Sequence, residues 1–247
     1  MKVFTYTEDA RLSAARAVLE THPSIDTRIH LLPIPTKKFL PGEPLCDAFL
    51  TRVMAKDLVC GYGIPAALAD AVVRRGGRIF EEEADAEFIE ENARLTAEAT
   101  VGYLLAEPKA PCDRTVGIIG YGRIGQALCR MLLFFGAGVR IFTERESVRT
   151  ALGEAGIESR PIRYEAGTSI DTNGLDLLIQ TAPAKIFILD NAPPCPLWNL
   201  AAAPYIGEGV AVRQLSALPA RICYESGGKA LARAVLRALQ DNERKTL

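Results

Sequence analysis

The chain is 247 residues long, 49% apolar and 24% charged, with a formal net charge of −1. That is enough apolar material for a large buried core in one domain or two. The near-zero charge carries no electrostatic footprint for nucleic acid or an anionic membrane, and every apolar run is too short to span a bilayer.

Taken in order, short β-rich runs alternate with amphipathic helical runs, the pattern of an α/β protein with parallel strands. The N-terminus, MKVFTYTEDAR, turns acidic too early for a signal peptide. VFTYT (3–7) predicts a strand, and a helix follows with Leu12, Ala15 and Leu19 on one face. RIHLLPI (28–34) predicts a second strand. PTKKFLPGEP (35–44) reads as loop because of its prolines and glycine. DLVCGYG (57–63) predicts a buried strand ending in a glycine turn, then a helix from Pro65 to Arg75 with proline in its first turn. GGRIFEEE (76–83) predicts a glycine cap and a short strand. DAEFIEENARLTAEATVGYLLAE (85–107) predicts one long helix, whose acidic start complements the helix dipole. EPKAPCDR (107–114) is the expected boundary between two α/β units, spanning 1–107 and 108–225.

Beyond Ser147 the pattern predicts a helix (VRTALGEAG), a strand at Arg160–Tyr164, and a parallel-type strand within GLDLLIQTAPA (174–184). PLWNLAAAP (196–204) and VAVRQLSALP (210–219) predict two more strands. A final helix is predicted from Ser226 to Asp241, with Leu231, Ala234, Val235, Ala238 and Leu239 on its apolar face. The six cysteines contain no C-x-x-C pair, so neither a zinc site nor a redox motif is expected. They read as reduced thiols of a cytoplasmic protein. The two histidines, His22 and His30, read as surface or packing residues.

TVGIIGYGRIGQALCRMLLFFGAGVRIFTERES (115–147) carries the chemistry. A G-x-G-x-x-G loop alone is a weak signal. Here a strand precedes it, a helix follows it and a second strand follows the helix, which is the context a dinucleotide site requires. Gly120 allows the tight turn, Gly122 lets backbone approach a pyrophosphate, and Gly125 lets helix and strand pack. Tyr121, Arg123 and Ile124 complete the loop, and Arg123 adds a candidate phosphate contact. Phosphates would meet the N–H groups of the helix start. The second strand ends in Thr143-Glu144-Arg145. With Thr143 as the last strand residue, the ribose site lacks the acid typical of NAD sites and Arg145 would meet a 2′-phosphate. With Glu144 turned inward, NAD is favoured. The expectation leans to NADP.

VGIIGYGRIGQALCRMLLFFGAGVRIF, preceded by RLTAEATVGYLLA, resembles the cofactor domain of D-2-hydroxyacid dehydrogenases. A closer resemblance, covering nearly the whole chain, is to the A-subunit family of dipicolinate synthase. TEDAR keeps the Asp9 and Arg11 of its opening Gly-Gly-Asp-x-Arg. CGYGIPAALADAVVRRGGRIFEEE follows its middle strand, helix and strand. Asn92, Thr96 and Glu98 match its Asn and Thr-x-Glu, GYGRIG its glycine loop, and QTAP its Asn-Thr-Ile-Pro turn, keeping Thr181 and Pro183; with Ala182 between them these are further cofactor-binding candidates. LPARICYESGGKALARAVL lines up on its C-terminal segment.

The resemblance implies two Rossmann-like or flavodoxin-like domains with a cleft between them and a last helix (226–247) crossing back to the first. It also implies an NADP-type cofactor, oxidation of a cyclic dihydrodipicolinate-like precursor, and partnership with a flavin-binding B subunit; self-association stays open. Departures are Asn199 for the family's Asp, Ala203 for its Arg and Glu225 for its Lys. The helper Arg and catalytic His of the hydroxyacid dehydrogenases have no counterpart here. Asn92, Thr96, Glu98 and Ser226 remain as candidate catalytic residues. Glu98 would serve as proton acceptor if apolar surroundings raise its pKa. Ser226 reads either as the cap of the last helix or as a ligand contact. A dicarboxylate needs cations in its site, so the altered positions imply a less anionic substrate, unless Arg213 or Arg221 replaces the lost charge. The expected function is an NAD(P)-dependent oxidoreductase; the alternative is a dinucleotide-binding subunit or sensor without hydride chemistry.

Overall fold

The computed structural model describes residues 1–22, 27–33, 36, 39–163, 170–182, 195–201 and 212–244. The chain forms two units, Met1–Asn92 with Pro219–Leu247, and Ala93–Leu218.

The first unit is built on a parallel sheet in the order β1 (Lys2–Thr5), β2 (Arg28–Leu31), β3 (Leu58–Gly61), β4 (Arg78–Glu81). Side chains alternate across a strand, so neighbouring residues part company. Ile29, Leu31, Leu58 and Cys60 enter one core, and Val59 enters the other. The first core is closed by α1 (Ala10–Glu20), through Leu12, Ala15 and Leu19. The second is closed by α2 (Pro44–Leu50) and α3 (Ala66–Val73), through Cys46, Phe49, Leu50, Leu68 and Val72. Asp9 caps α1 by accepting from the Leu12 N–H at 3.0 Å.

The long helix α4 (Ala86–Leu105) starts at Asp85, whose carboxylate accepts from the Phe88 N–H at 2.7 Å. Its first turn contributes Phe88 to the first core.

The second unit carries β5 (Thr115–Ile119), α5 (Arg123–Phe134), β6 (Gly138–Thr143), α6 (Glu146–Glu154), β7 (Glu158–Pro161), β8 (Leu177–Gln180), β9 (Leu197–Asn199) and β10 (Val212–Gln214). Its six described strands are parallel, in the order β10-β9-β8-β5-β6-β7. Read from β7, that is the 3-2-1-4-5-6 order of the doubly wound dinucleotide fold. The order reverses between β5 and β8, where the carboxyl ends of the strands leave room for a ligand.

A single turn, α7 (Leu218–Arg221), leads into α8 (Tyr224–Arg244). This last helix returns to the first unit and buries Ala230, Leu231, Ala232, Ala234, Val235 and Leu239 in its first core. Arg237 grips Asp85 with two parallel hydrogen bonds, from Nε at 2.8 Å and Nη2 at 2.7 Å. That fork holds the Asp85 carboxyl below its ordinary range.

The α/β class and parallel sheets stand as expected, and the differences are local. Helix α2 was not foreseen. Strand β7 lies earlier than the predicted Arg160–Tyr164, and LSALP belongs to a turn and α7 rather than to a strand. Pro65 caps α3 from outside it. Among the described residues, no helix is long and apolar enough to cross a membrane.

Candidate dinucleotide site

Strand β5 delivers the chain to Gly120, whose φ of +93° is a conformation that a side chain disfavours. Its N–H donates to the Phe142 carbonyl of β6 at 2.9 Å. A Cβ there would meet the Thr181 hydroxyl at 3.0 Å and the Ala182 Cβ at 3.1 Å. Thr181 follows β8 and donates from Oγ1 to the Ile119 carbonyl at 2.9 Å and to that of Gly120 at 3.3 Å. The glycine loop and the end of β8 are thus stitched together at the strand reversal.

Gly122 caps α5, with φ −83° and ψ −166°, and its carbonyl accepts the first helical hydrogen bond from the Gln126 N–H at 2.9 Å. Among the described residues, nothing lies within 4 Å of where its Cβ would be. Gly125 is the opposite case: its Cβ would fall 2.3 Å from the Gly120 carbonyl oxygen. One glycine therefore keeps space open above the loop, and the other lets the helix seat against it. Together with the N–H groups that a helix start presents, this fits a pyrophosphate.

Thr143 is the last residue of β6 and is buried, while Glu144 and Arg145 are exposed. Arg145 reaches back over the loop and donates from Nη2 to the Tyr121 carbonyl at 2.6 Å. Arg149, in the first turns of α6, donates from Nη1 to the carbonyls of Thr143 at 2.9 Å and Glu144 at 2.7 Å. Two guanidinium groups therefore flank the end of β6. The sequence pattern pointed to Arg145 and not to Arg149; the i, i+4 spacing along α6 was the available signal. Gly120 to Gly125, Thr143 to Arg145, Thr181 and Ala182 come together at one edge of the sheet. Pro183 lies outside the described residues, as does Ala203.

The candidate catalytic residues are placed differently. Thr96 and Glu98 lie on α4 in the second unit, and Asn92 ends the contiguous N-terminal part of the first. Thr96 is buried. Glu98 is partly exposed and pairs with Arg94 one turn back on α4, so the apolar surroundings expected of it are not those it has. Ser226 is exposed and lies inside the first turn of α8, not at its cap, because Gly227 already donates to the Cys223 carbonyl at 2.8 Å.

Asn199 is fully buried. It donates to Gln214 Oε1 at 2.8 Å and accepts from the Ala201 N–H at 3.0 Å, binding β9 to β10. Arg213 donates to Glu107 at 2.9 Å, with its guanidinium over Tyr103 and Trp198, in a groove of about 400 Å³. That groove lies at the amino ends of β8, β9 and β10, away from the carboxyl ends that carry the glycine loop, so Arg213 is not a replacement cation for that side. Arg221 is exposed.

His30 is a packing histidine. Its ring stacks on Phe4 and is fully buried. Its Nε2 donates to Asp57 at 2.9 Å, and its Nδ1 accepts from the Tyr6 hydroxyl at 2.5 Å. Asp57 also accepts from the Met54 N–H at 2.8 Å, which fixes it as acceptor. Burial lowers the His30 pKa and raises that of Tyr6 to about 12.

A scan of protein-family models and a search of curated proteins give no match. Solved structures do. The A-subunit of dipicolinate synthase from Bacillus halodurans superimposes with a TM-score of 0.74 at 17% identity, over 96% of this chain and 97% of that one. The dipicolinate synthase A-subunit from Bacillus subtilis gives 0.73 at 16%, over 99% and 97%. This chain has the fold of the dipicolinate synthase A-subunit. The apo D-lactate dehydrogenase from Escherichia coli follows at 0.62 and 14%, over 99% and 98%. The resemblance carried by TEDAR, GYGRIG and QTAP is thus borne out in the fold.

Proposed function

We propose that this chain is an NAD(P)-dependent oxidoreductase of the dipicolinate synthase A type, acting on a substrate less anionic than dipicolinate. The observation that carries the reading is the glycine loop at the β5/β8 reversal, with open space at Gly122 and close packing at Gly125. When bound, the nicotinamide group supplies hydride transfer. The chain's part is to hold the pyrophosphate on the loop and the start of α5. Arg145 and Arg149, beside a Thr143 that offers no carboxylate to a ribose 2′-hydroxyl, favour NADP over NAD. The altered substrate rests on Glu225, exposed where the resembled family has Lys, and on Asn199, whose amide is spent on β10. The same reading expects partnership with a flavin-binding B subunit.

The second reading, a dinucleotide-binding subunit without hydride chemistry, is favoured by Glu98, which is tied to Arg94 and partly exposed. Thermal unfolding with NAD, NADP and their reduced forms tests the first claim: at 100 times its Kd a ligand stabilises by about 2.7 kcal/mol. No shift with any of the four refutes it. Turnover of cyclic imines or amino acids with NADP or NADPH then separates enzyme from sensor.

A further inference from the structure

The net charge of −1 conceals a segregation of charge within the first unit. Its parallel strands all start at one edge of the sheet. Lys2, Arg28 and Arg78 are the first residues of β1, β2 and β4, and the register sets Lys2 opposite Arg28 and Arg78 opposite Leu58 of β3. The turns before β3 add Arg52 and Lys56, and the turn after α3 adds Arg74 and Arg75, all four exposed. These segments touch: the Lys56 N–H donates to the Gly76 carbonyl at 2.8 Å, and Arg78 Nη2 donates to the Lys56 carbonyl at 3.2 Å. Asp57 lies among these cations, but it is buried and engaged by His30, the Met54 N–H and Arg28. The opposite edge is acidic, with Glu8, Asp9, Glu81 and Glu83, and with Glu82, whose carboxyl burial raises to about 7.

Several of the cations are held in place. Arg28 donates from Nη2 to the Arg52 carbonyl at 2.7 Å and from Nη1 to the Met54 sulfur. Its guanidinium and the Lys2 ammonium each lie 5.2 Å from the centre of the Phe4 ring. Arg75 donates to the Ala71 carbonyl at 2.9 Å. Side chains fixed beforehand lose less freedom when a partner arrives. Apolar side chains stand among the charges: Met54, 57% exposed, lies between Arg52 and Lys56 in the chain, and Val73, 60% exposed, ends α3 before Arg74. Lys56 itself has φ +71°, in the left-handed region that disfavours a side chain. Such a residue costs stability that a glycine there would not, and strain of this kind collects at functional surfaces.

We propose that this basic edge docks an acidic segment of a partner protein, whose carboxylates meet the arginines and lysines and whose apolar side chain meets Met54. Arginine and methionine are enriched in protein interfaces, and opposite charge steers the encounter. A single-stranded nucleic acid fits less well. It needs open aromatic faces for its bases, and Phe4, an aromatic ring at this edge, already carries Lys2 and Arg28. The surface belongs to the first unit and the glycine loop to the second, so the proposal does not rest on the proposed function.

The test is fluorescence anisotropy with the full chain and two labelled probes, a glutamate-rich peptide with a central leucine and a single-stranded oligonucleotide of equal charge. The peptide should bind more tightly than the oligonucleotide, and more weakly as salt rises. Joint replacement Arg52→Glu and Lys56→Glu should weaken the peptide about tenfold or more, as juxtaposed like charges do. Met54→Ala should remove the advantage of a central leucine over a central alanine. Lys56→Gly should weaken binding yet melt no lower than the parent, the reverse of what cations that serve only the ends of α2 and α3 would give. Arg160→Glu, at an exposed cation of the second unit, should bind the peptide as the parent does. Tighter binding of the oligonucleotide would assign the edge to nucleic acid. Self-association of the parent that disappears in the double variant would assign it to a second copy of the chain. No peptide binding at low salt, or equal binding by the double variant, would leave a solvated rim. Each of these results overturns the proposal.

Discussion

Gly122 and Gly125 sit three residues apart in one loop, yet substitution should act on them through opposite causes. At Gly122 the backbone is extended and, among the described residues, no atom lies within 4 Å of an added Cβ, so a side chain can start there without a clash in the apo protein. Its cost is the weaker helix cap, about 1 kcal/mol. At Gly125 the new methyl would fall 2.3 Å from a backbone carbonyl, which a side-chain rotation cannot relieve. Overpacking of this kind costs about 1–3 kcal/mol. For a chain of this size 1 kcal/mol moves Tm by roughly 2–4 °C.

Gly122→Val should therefore melt within about 4 °C of the parent in the absence of ligand. Gly125→Ala should melt roughly 2–12 °C lower. Saturating dinucleotide, worth about 2.7 kcal/mol at 100 times Kd, should raise the parent by roughly 5–11 °C and leave Gly122→Val unmoved. Scanning fluorimetry with and without NADP reads both effects. A Gly122→Val protein that keeps the full ligand shift places the pyrophosphate elsewhere and refutes the reasoning.

Arg145→Ala and Arg149→Ala should each cut the NADP-to-NAD affinity ratio about tenfold or more, since a hydrogen bond to a charged group is worth about 1.5–3 kcal/mol; an unchanged ratio in paired titrations removes that role. Burial lowers the His30 pKa below 6.5. The unfolded chain therefore takes up this proton first, and the His30 contribution is present above pH 6.5 and lost as pH falls; a His30→Gln variant should show a shallower acid-side decline in its urea midpoint. Glu82 has the opposite sign: raised to about 7, it contributes stability below its unfolded pKa that is lost as pH rises through 7. Glu82→Gln should thus gain on the parent at pH 8 relative to pH 5 in the same assay. Asp85→Ala removes both the α4 cap and the Arg237 fork and should cost about 2 kcal/mol, against about 1 kcal/mol for Arg237→Ala, whose side chain is 32% exposed. Calorimetry with dipicolinate and saturating cofactor should show no micromolar binding; if it does, the less anionic substrate is wrong.

The glycine loop and its strand-helix-strand frame were legible in the sequence because their determinants are local. A β-branched strand, glycines at fixed offsets and an amphipathic helix occupy one continuous stretch from Thr115 to Thr143, and each element's period declares it. The same holds for α1, α4 and α8, whose apolar faces repeat over several turns. Helix α2 escaped because it has fewer than two turns and follows a run of prolines and glycines. Ser226 escaped as a cap because Tyr224 and Glu225 extend α8 by less than a turn, the scale on which helix ends shift with packing.

The remainder was decided by the tertiary structure. That β5 lies beside β8, putting Thr181 on the glycine loop, depends on strand pairing across some sixty residues of chain, which no local pattern encodes. Arg11 with Glu82, and Tyr6 with His30 and Asp57, are joined only when parallel strands bring their ends into register. Apolar periodicity assigns each residue to a face of its own strand or helix. Which buried charge meets which, and whether it is left without a partner, is set by the packing of those faces against one another.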